Sequence, residues 1–453
     1  MSIVSKKIMM GSGAVALPSD DEFNLVSFLS HFDGANNGVN NAFDDGSASN
    51  HTITAAGNVT QGSFGPFARP DGEWGVSFDG DDYLTVAETG ADEFTFGTGD
   101  FTIEGWINNQ AMKDADGART IITTAQGNDP FSGIWFGING GKYYYIYNNA
   151  AGNNFDIIVN AGTAVANAWT HFALVRNGTS NVVYINGTSI GSTTETARDL
   201  TNTNNLLAVG GRATGSQYTI STMSNLRVVK GTAVYTGNFT PSTSKLTAIT
   251  NTKLLTCQSN RFVDNSASPL TITPAGNPAV SAFGPFLTSA VYDPAVNAAS
   301  LATPAAGDYL SFGNIGLDGH SGDFSIEAWV YPTSYASAVS PIYSQGSATS
   351  TSDLLDLSLN SSGQPITNIN EGTTTLGTTF VCPKNAWTFV QLKRTSGTLA
   401  ILTNGVQRNT VSNTATIGSP NRGHVGTQSY DVAAASRSFY GFICDVRVSV
   451  VTR

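Results

Sequence analysis

The stretch Thr98-Gly99-Asp100-Phe101-Thr102-Ile103-Glu104-Gly105-Trp106-Ile107 has a second version in Ser321-Gly322-Asp323-Phe324-Ser325-Ile326-Glu327-Ala328-Trp329-Val330. In each, a Gly-Asp turn feeds a run that alternates with period two, the mark of a strand. Phe101, Ile103, Gly105 and Ile107 share one face, and Thr102, Glu104 and Trp106 share the other. The second version keeps the same phase. A slip of one residue would turn every side chain to the wrong face, so equal phase implies equal places in two similar folds.

The repetition extends well beyond these strands. Phe28-Leu29-Ser30-His31 is answered by Leu254-Leu255-Thr256-Cys257, and Phe43-Asp44-Asp45 by Val263-Asp264-Asn265. Ser63-Phe64-Gly65-Pro66-Phe67 is answered by Ala282-Phe283-Gly284-Pro285-Phe286, and Tyr83-Leu84 by Tyr309-Leu310. Ala168-Trp169-Thr170 returns as Ala386-Trp387-Thr388, Asn186-Gly187 as Asn404-Gly405, and Leu226-Arg227-Val228 as Val446-Arg447-Val448. From Gly65 to Gly284, Ala168 to Ala386 and Leu226 to Val446 the separation is 219, 218 and 220 residues. A nearly constant offset reads as two tandem domains. The expected division is an arm at 1–23, a first domain at 24–247 and a second at 248–453, joined by a short connection.

Short strands with turn signals about every 8–12 residues and no helical period predict an all-β protein of two β-sandwiches. Phe101, Ile103, Phe172 and Leu174 are the expected core of the first. Asn-Gly pairs tolerate positive φ and predict tight hairpins at 186–187 and 404–405. Only 12% of residues are charged, against about 25% in ordinary soluble domains, so Ser, Thr, Asn and Gly must cover the surface. A formal net charge of −11 argues against nucleic acid as a partner, because phosphates must be met by Lys and Arg. It equally argues against an anionic lipid surface, and no apolar run approaches the roughly 18 residues that span a bilayer. Lys6-Lys7 with Ile8-Met9-Met10 and Ala14-Val15-Ala16 imitates a secretion signal, but Gly11-Ser12-Gly13 breaks it, so no cleaved signal is expected. Cys257, Cys382 and Cys444 have no metal-site spacing. Buried free thiols are the leading expectation, with a Cys257–Cys444 bridge as the alternative.

The order Asp-Gly-X-X-Tyr-Leu at 79–84, Gly-Asp-Phe-Thr-Ile-Glu-X-Trp at 99–106, Trp-Thr-X-X-X-Leu at 169–174, Asn-Gly and the closing Leu-Arg-Val resembles laminin-G-like, concanavalin A-like jelly-roll modules. The resemblance runs from about residue 24 to 451. A narrower one covers Asn225-Leu226-Arg227-Val228-Val229-Lys230-Gly231-Thr232-Ala233-Val234-Tyr235-Thr236, Phe239-Thr240-Pro241, Leu254–Gln258 and Asp264-Asn265. It is similar to the junction between modules in virion structural proteins of marine tailed, cyanophage-like phages. Ser5-Lys6-Lys7 is similar to their N-termini.

The sites follow from residue types. Glycosidases of this fold carry Glu-X-Asp-X-X-Glu on one strand, so that two carboxyls flank the bond. No such pattern occurs, and Glu104 and Glu327 stand alone as expected surface carboxylates. No Gly-X-Ser-X-Gly nucleophile elbow is expected: the letters occur at Gly187–Gly191, but there they begin at an Asn-Gly hairpin turn. The histidines are dispersed, with His171 expected half-exposed. The copies differ most in aromatics: Trp135 and Tyr143, Tyr145 and Tyr147 in the first face Leu355 and Pro365–Ile369 in the second. These four form the candidate platform for a glycan or a neighbouring subunit. Asp79, Asp81 and Asp82, with Asp114 and Asp116 behind them, are the candidate calcium ligands, although Asp-Gly clusters are ordinary turns. No other cofactor is expected. The resemblance implies a non-enzymatic virion protein: a capsid decoration, head appendage or tail-fibre component on the particle exterior. It would be anchored to other virion proteins by residues 1–23 through Lys6 and Lys7, and homo-oligomeric. The alternatives are a receptor-binding lectin for host surface polysaccharide and, third, a glycan depolymerase.

Overall fold

The computed structural model describes residues 26–30, 43, 45–47, 49–57, 60–62, 74–90, 92–110, 118–125, 133–148, 155–194, 198–200, 205–276, 278–281, 300–313, 315, 317, 319–346, 355–370, 374–418, 422–429, 431–432 and 434–450. Residues 1–23, with Lys6 and Lys7, lie outside these, as do Asp114 and Asp116. Within them the regular structure is strand, apart from one short 3-10 turn at Ala435–Arg437.

In chain order the strands begin with β1 (Val26–Ser30), β2 (Thr54–Ala56) and β3 (Thr60–Gly62). Then come β4 (Gly75–Asp79), β5 (Tyr83–Ala87), β6 (Phe101–Asn109), β7 (Arg119–Thr123), β8 (Ile134–Asn139), β9 (Lys142–Asn148) and β10 (Phe155–Thr163). β11 (Trp169–Asn177), β12 (Ser180–Ile185), β13 (Thr188–Thr194), β14 (Leu206–Val209) and β15 (Ile220–Lys230) follow. After β16 (Thr252–Thr256), β17 (Ile272–Ala275) and β18 (Ala279–Ser281) the pattern repeats. It continues with β19 (Ser300–Thr303), β20 (Tyr309–Phe312), β21 (Phe324–Ser334), β22 (Val339–Gly346), β23 (Leu355–Asn360), β24 (Pro365–Ile369) and β25 (Thr374–Gly377). The last are β26 (Thr388–Thr395), β27 (Thr398–Thr403), β28 (Val406–Ser412), β29 (Arg422–Val425) and β30 (Tyr440–Ser449).

Two compact units result, Asp71–Ser289 and Met1–Pro70 with Ala290–Arg453. The first has an eight-stranded sheet β13-β12-β11-β6-β15-β4-β18, with β16 on β15, and a seven-stranded sheet β10-β9-β8-β7-β14-β5-β17. The second has β28-β27-β26-β21-β30-β19-β3, with β1 on β30, and β2-β20-β29-β22-β23-β24-β25. Position by position the two are the same all-β sandwich. The unit borders differ from the sequence division at 247/248. The three opening strands of each repeat sit in the other repeat's sandwich: β16–β18 on residues 75–230, and β1–β3 on residues 300–449. The offset shows which segments are alike, but not which copy each one completes.

Asp45 and Asp264 show how alike these segments are. Asp45 accepts the Leu29 and Ser47 amides at 3.0 and 2.9 Å, and Asp264 accepts those of Leu255 and Ser266 at 2.9 Å each. Each also takes the hydroxyl of its Ser two residues on, at 2.9 Å. The counterpart of Asp264 is therefore Asp45, one residue later than the sequence pairing.

The repeated Gly-Asp-Phe has a physical cause. Buried Arg176 donates to the Gly99 carbonyl and lies over the Phe101 ring, 5.1 Å from its centroid. Arg394 does the same with Gly322 and Phe324 at 5.0 Å. Asp100 and Asp323 accept the amides of Gly178 and Ser396 in the following hairpin at 2.7 and 2.8 Å. One tripeptide thus ties the head of the central strand to the next strand and its turn. Phe101, Ile103, Phe172 and Leu174 are fully buried, as are Phe324, Ile326, Val390 and Leu392. Cys257, Cys382 and Cys444 are buried free thiols, and burial pushes Cys257 and Cys382 up to about 12. Cys257 and Cys444 belong to different units.

The copies part company on the outer face of the eight-stranded sheet. In the first unit the segment after β15 lies across it. Gly231 donates to the Asp100 carbonyl, Thr102 Oγ1 bridges the Thr232 carbonyl and the Val234 amide, and the Phe239 amide donates to Gly187. Tyr235 and Phe239 stack at 3.5 Å and cover Ala173, Val175 and Tyr184. Thr170 to Arg176 are consequently all buried, whereas the matching Phe389, Gln391 and Lys393 remain half-exposed.

The two Asn-Gly hairpins measure the difference. Both glycines are left-handed, at φ 76° and 78°. A Cβ on Gly187 would run into the Phe239 carbonyl, while one on Gly405 meets nothing within 4 Å. Gly405→Ala should cost about 1 kcal/mol of left-handed strain. Gly187→Ala should cost at least about 2 kcal/mol, because the overlying segment must also move. Urea unfolding of the two variants measures both.

Candidate functional site

The centre of that outer face is a carboxylate. Register pairs Glu104 on β6 with Arg227 on β15, and Glu327 on β21 with Arg447 on β30. Glu104 is not the surface carboxylate expected from sequence, since it is fully buried. Arg227 reaches Glu104 Oε1 through Nε at 3.0 Å and Nη2 at 2.5 Å, and Tyr235 donates to Oε2 at 2.7 Å. His171 Nε2 lies 3.4 Å from the same oxygen and is fully buried, not half-exposed. Burial pushes the Glu104 carboxyl up, but His171, Arg227 and Tyr235 outweigh it and hold it below the ordinary glutamate value. Burial and the neighbouring Glu104 charge push the Tyr235 phenol well up, so it stays a donor. In the second unit Glu327 is also buried, paired with Arg447 and accepting from Gln391 at 2.9 Å. A carboxylate so engaged and out of reach of solvent is placed to hold strands rather than to exchange protons with a substrate.

The aromatic platform does not form. Trp135, Tyr143, Tyr145 and Tyr147 are each only 1% exposed, so none presents a face to a sugar or a subunit. They do not even share a side of the sheet. Tyr143, Tyr145 and Tyr147 pair with Ile138, Phe136 and Ile134 and point into the sandwich, where Phe136 meets Phe172 at 5.4 Å. Burial pushes Tyr143 up to about 12. Trp135 pairs with Ile146 on the outer side and donates to Thr120 Oγ1 at 2.8 Å. The notion of a platform assumed that the tyrosine face was the wet one. Tyr144 and Ile146 made the opposite face equally apolar, and alternation alone could not choose between them.

Register also corrects the counterpart of Trp135. Across the seven-stranded sheet of the first unit run Thr273, Thr85, Ala208, Thr123, Trp135, Ile146 and Ile157. The same row in the second is Thr54, Ser311, His424, Ser344, Asp356, Asn368 and Thr375. Trp135 thus matches Asp356, not Leu355, and an apolar end is replaced by a polar one. Asp356 is fully buried, accepting from the Asn368 amide at 2.7 Å, Ser358 at 3.1 Å and Gln428 at 3.1 Å. Burial raises its carboxyl above the ordinary value despite these bonds. Burial and Arg422 push His424 down to about 4, so it is neutral at pH 7. Asn368 is half-exposed and Thr375, which donates to it at 3.0 Å, is exposed.

Among the described residues the one acidic group of metal-binding spacing is Asp79, Asp81 and Asp82, with carboxylate oxygens within 4.8 Å. Asp82 is buried and accepts the Asp79 amide at 2.9 Å, which closes the turn into β5. Asp308 does the same work in the second unit, accepting the Ala305 amide at 2.7 Å, where Ala305 and Gly307 replace the other two acids. Beyond the turn, the trio offers two exposed carboxylates, short of the roughly six to eight oxygens calcium takes.

Among solved structures, the chain is similar to domains LG4-5 of the mouse laminin α1 chain, at 13% identity and TM-score 0.29, over 83% of this chain and 89% of that one. It is similar to the CBM40 domain of a Ruminococcus gnavus sialidase bound to α2,6-sialyllactose, at 16% and 0.26, over 30% of this chain and 79% of that one. It is also similar to a SAP-like pentraxin of Limulus polyphemus, at 16% and 0.27, over 36% and 77%. Nothing about a ligand follows from likeness at this level. No curated protein sequence matches the chain. A laminin-G family model, described as the concanavalin A-like lectin/glucanases superfamily, matches residues 78–233 and 304–452, the bodies of the two sandwiches. The chain belongs to the concanavalin A-like lectin/glucanases superfamily, in two tandem copies.

Proposed function

We propose that the chain is a non-enzymatic structural protein of a phage particle, displayed on its exterior as a capsid decoration, head appendage or tail-fibre component. The observation that carries the non-enzymatic reading is the fate of the central carboxylates. Glu104 is closed off by Arg227, Tyr235 and His171, and Glu327 by Arg447 and Gln391. The phage setting rests on the resemblance of residues 225–265 to module junctions of virion proteins, with residues 1–23 as anchor through Lys6 and Lys7. Deleting residues 1–20 should abolish incorporation into particles while leaving the unfolding transition in place. Normal incorporation of that deletion would end the anchoring idea. Incubation of the full chain with host polysaccharide should release no reducing ends, and steady release would make it a depolymerase.

A second reading, a lectin for host surface polysaccharide, is favoured by the superfamily and by the polar end of the second unit's row. Asn368 and Thr375 there offer amide and hydroxyl groups of the kind that meet sugar hydroxyls. On this reading a glycan array binds the full chain, and Asn368→Ala with Thr375→Ala lowers binding at least about tenfold, the loss of roughly one to two hydrogen bonds. Unchanged binding by the double variant would remove this site.

A further inference from the structure

The chain is written as complement, body, complement, body. Residues 252–281 complete the body that precedes them, and residues 26–62 complete the body at 300–449. β1 pairs with β30 from Val26↔Ser449 to Ser30↔Val446, β2 with β20, and β3 with β19 through Gly62↔Ser300. β16, β17 and β18 make the same three pairings on β15, β5 and β4. The Asp45 and Asp264 networks fold both complements alike. Gly57 and Gly276, each at positive φ, pass against Asp308 and Asp82 where no side chain would fit.

The first body therefore takes the complement that follows it. The second would obey the same order if it took the complement of another copy. We propose that residues 26–62 are an exchangeable module, and that copies of this chain join head to tail by seating the 26–62 strands of one on the 300–449 strands of the next. Every bond of the closed monomer is remade in such an exchange: β1 on β30, and Phe28 stacked on Phe312 at 4.1 Å. The balance between closure within one chain and linkage between chains then depends on local against bulk concentration, and not on new contacts. The order of magnitude at which they compete is about millimolar for a short connection. On the function proposed above, a particle surface that gathers many copies would supply such a concentration.

Val26 and Ser449 face each other in register and supply the test. Full-length Val26→Cys and full-length Ser449→Cys are mixed, unfolded, refolded together at high concentration and oxidised. The expected product is a covalent heterodimer on a non-reducing gel, absent when either variant is refolded alone. The chain carrying both substitutions should close within itself when dilute and give a covalent ladder when concentrated. The wild-type chain, refolded across the same concentrations, is followed by light scattering. It should yield species at multiples of the monomer mass that survive dilution. Closure of the double variant only within itself, with no mixed heterodimer, would overturn the proposal. So would a wild-type chain that stays monomeric at every concentration.

Discussion

Arg227→Ala should lower the stability of the 71–289 unit by about 3–5 kcal/mol, the usual consequence of leaving a buried charge without its partner. Glu104 is fully buried, and the Arg227 side chain is only 7% exposed. The pH dependence identifies the cause. In the wild type the Glu104 carboxyl is held below its ordinary value, so its contribution is present above about pH 4.3, the unfolded value, and is lost as pH falls through the lower folded value. Without Arg227 one of the groups that oppose burial is gone, and the carboxyl rises from its wild-type value. The deficit of the variant should then be largest near neutrality and should shrink as acid neutralises Glu104. Urea titrations at a series of pH values measure it, and a deficit independent of pH would assign the loss to packing alone. Arg447→Ala should cost less, about 1–2 kcal/mol, because the Arg447 side chain is 28% exposed and water can partly replace it.

Phe28→Ala should cost about 3–5 kcal/mol, as large-to-small changes in a closed core do. Its location in the molecule matters more than its size. Phe28 is fully buried in the cluster of Phe312, Tyr343, Val446 and Val448, which belongs to the 290–453 sandwich. Amide hydrogen exchange should therefore lose protection in 300–449 and keep it in 75–230, although residue 28 is far closer in sequence to the latter. Leu254→Ala should give the mirror result, loosening 75–230. Loss of protection in 75–230 on Phe28→Ala would restore the contiguous domains expected from the repeat.

Much of the fold was legible because strand phase is a local property. Phe101, Ile103, Phe172 and Leu174 were placed on the core face by alternation alone, and the two Asn-Gly turns by their tolerance of positive φ. What escaped reading was pairing at long range. The Leu-Arg-Val of the closing strand was visible, and so was Glu104, but nothing local says that one faces the other across a sheet. The same limit hid the exchange of opening strands. Two copies of a complement and two of a body fit together in two ways, and a constant offset is equally consistent with both. The burial of His171, Ala173 and Val175 depends on residues 231–239 crossing the sheet, since the matching Phe389, Gln391 and Lys393 are half-exposed. That segment has turn-like composition and no periodicity to announce a buried role. The aromatic platform failed for a related reason: in β9 both faces are apolar, so only the partner strand decides which is inside.

The pairing of β1 with β30 also sets a timetable for synthesis. Val26 leaves the ribosome 423 residues ahead of its partner Ser449. At about 5–20 residues per second, the first strand waits on the order of tens of seconds with Phe28 and Leu29 uncovered. The 71–289 sandwich, whose last strand is β18, can close well before that. The nascent chain thus carries a finished sandwich between an orphan strand and a body that cannot yet receive it, which is the state a holding chaperone recognises. Crowded translation on one message would bring the orphan strands of neighbouring chains together during that interval.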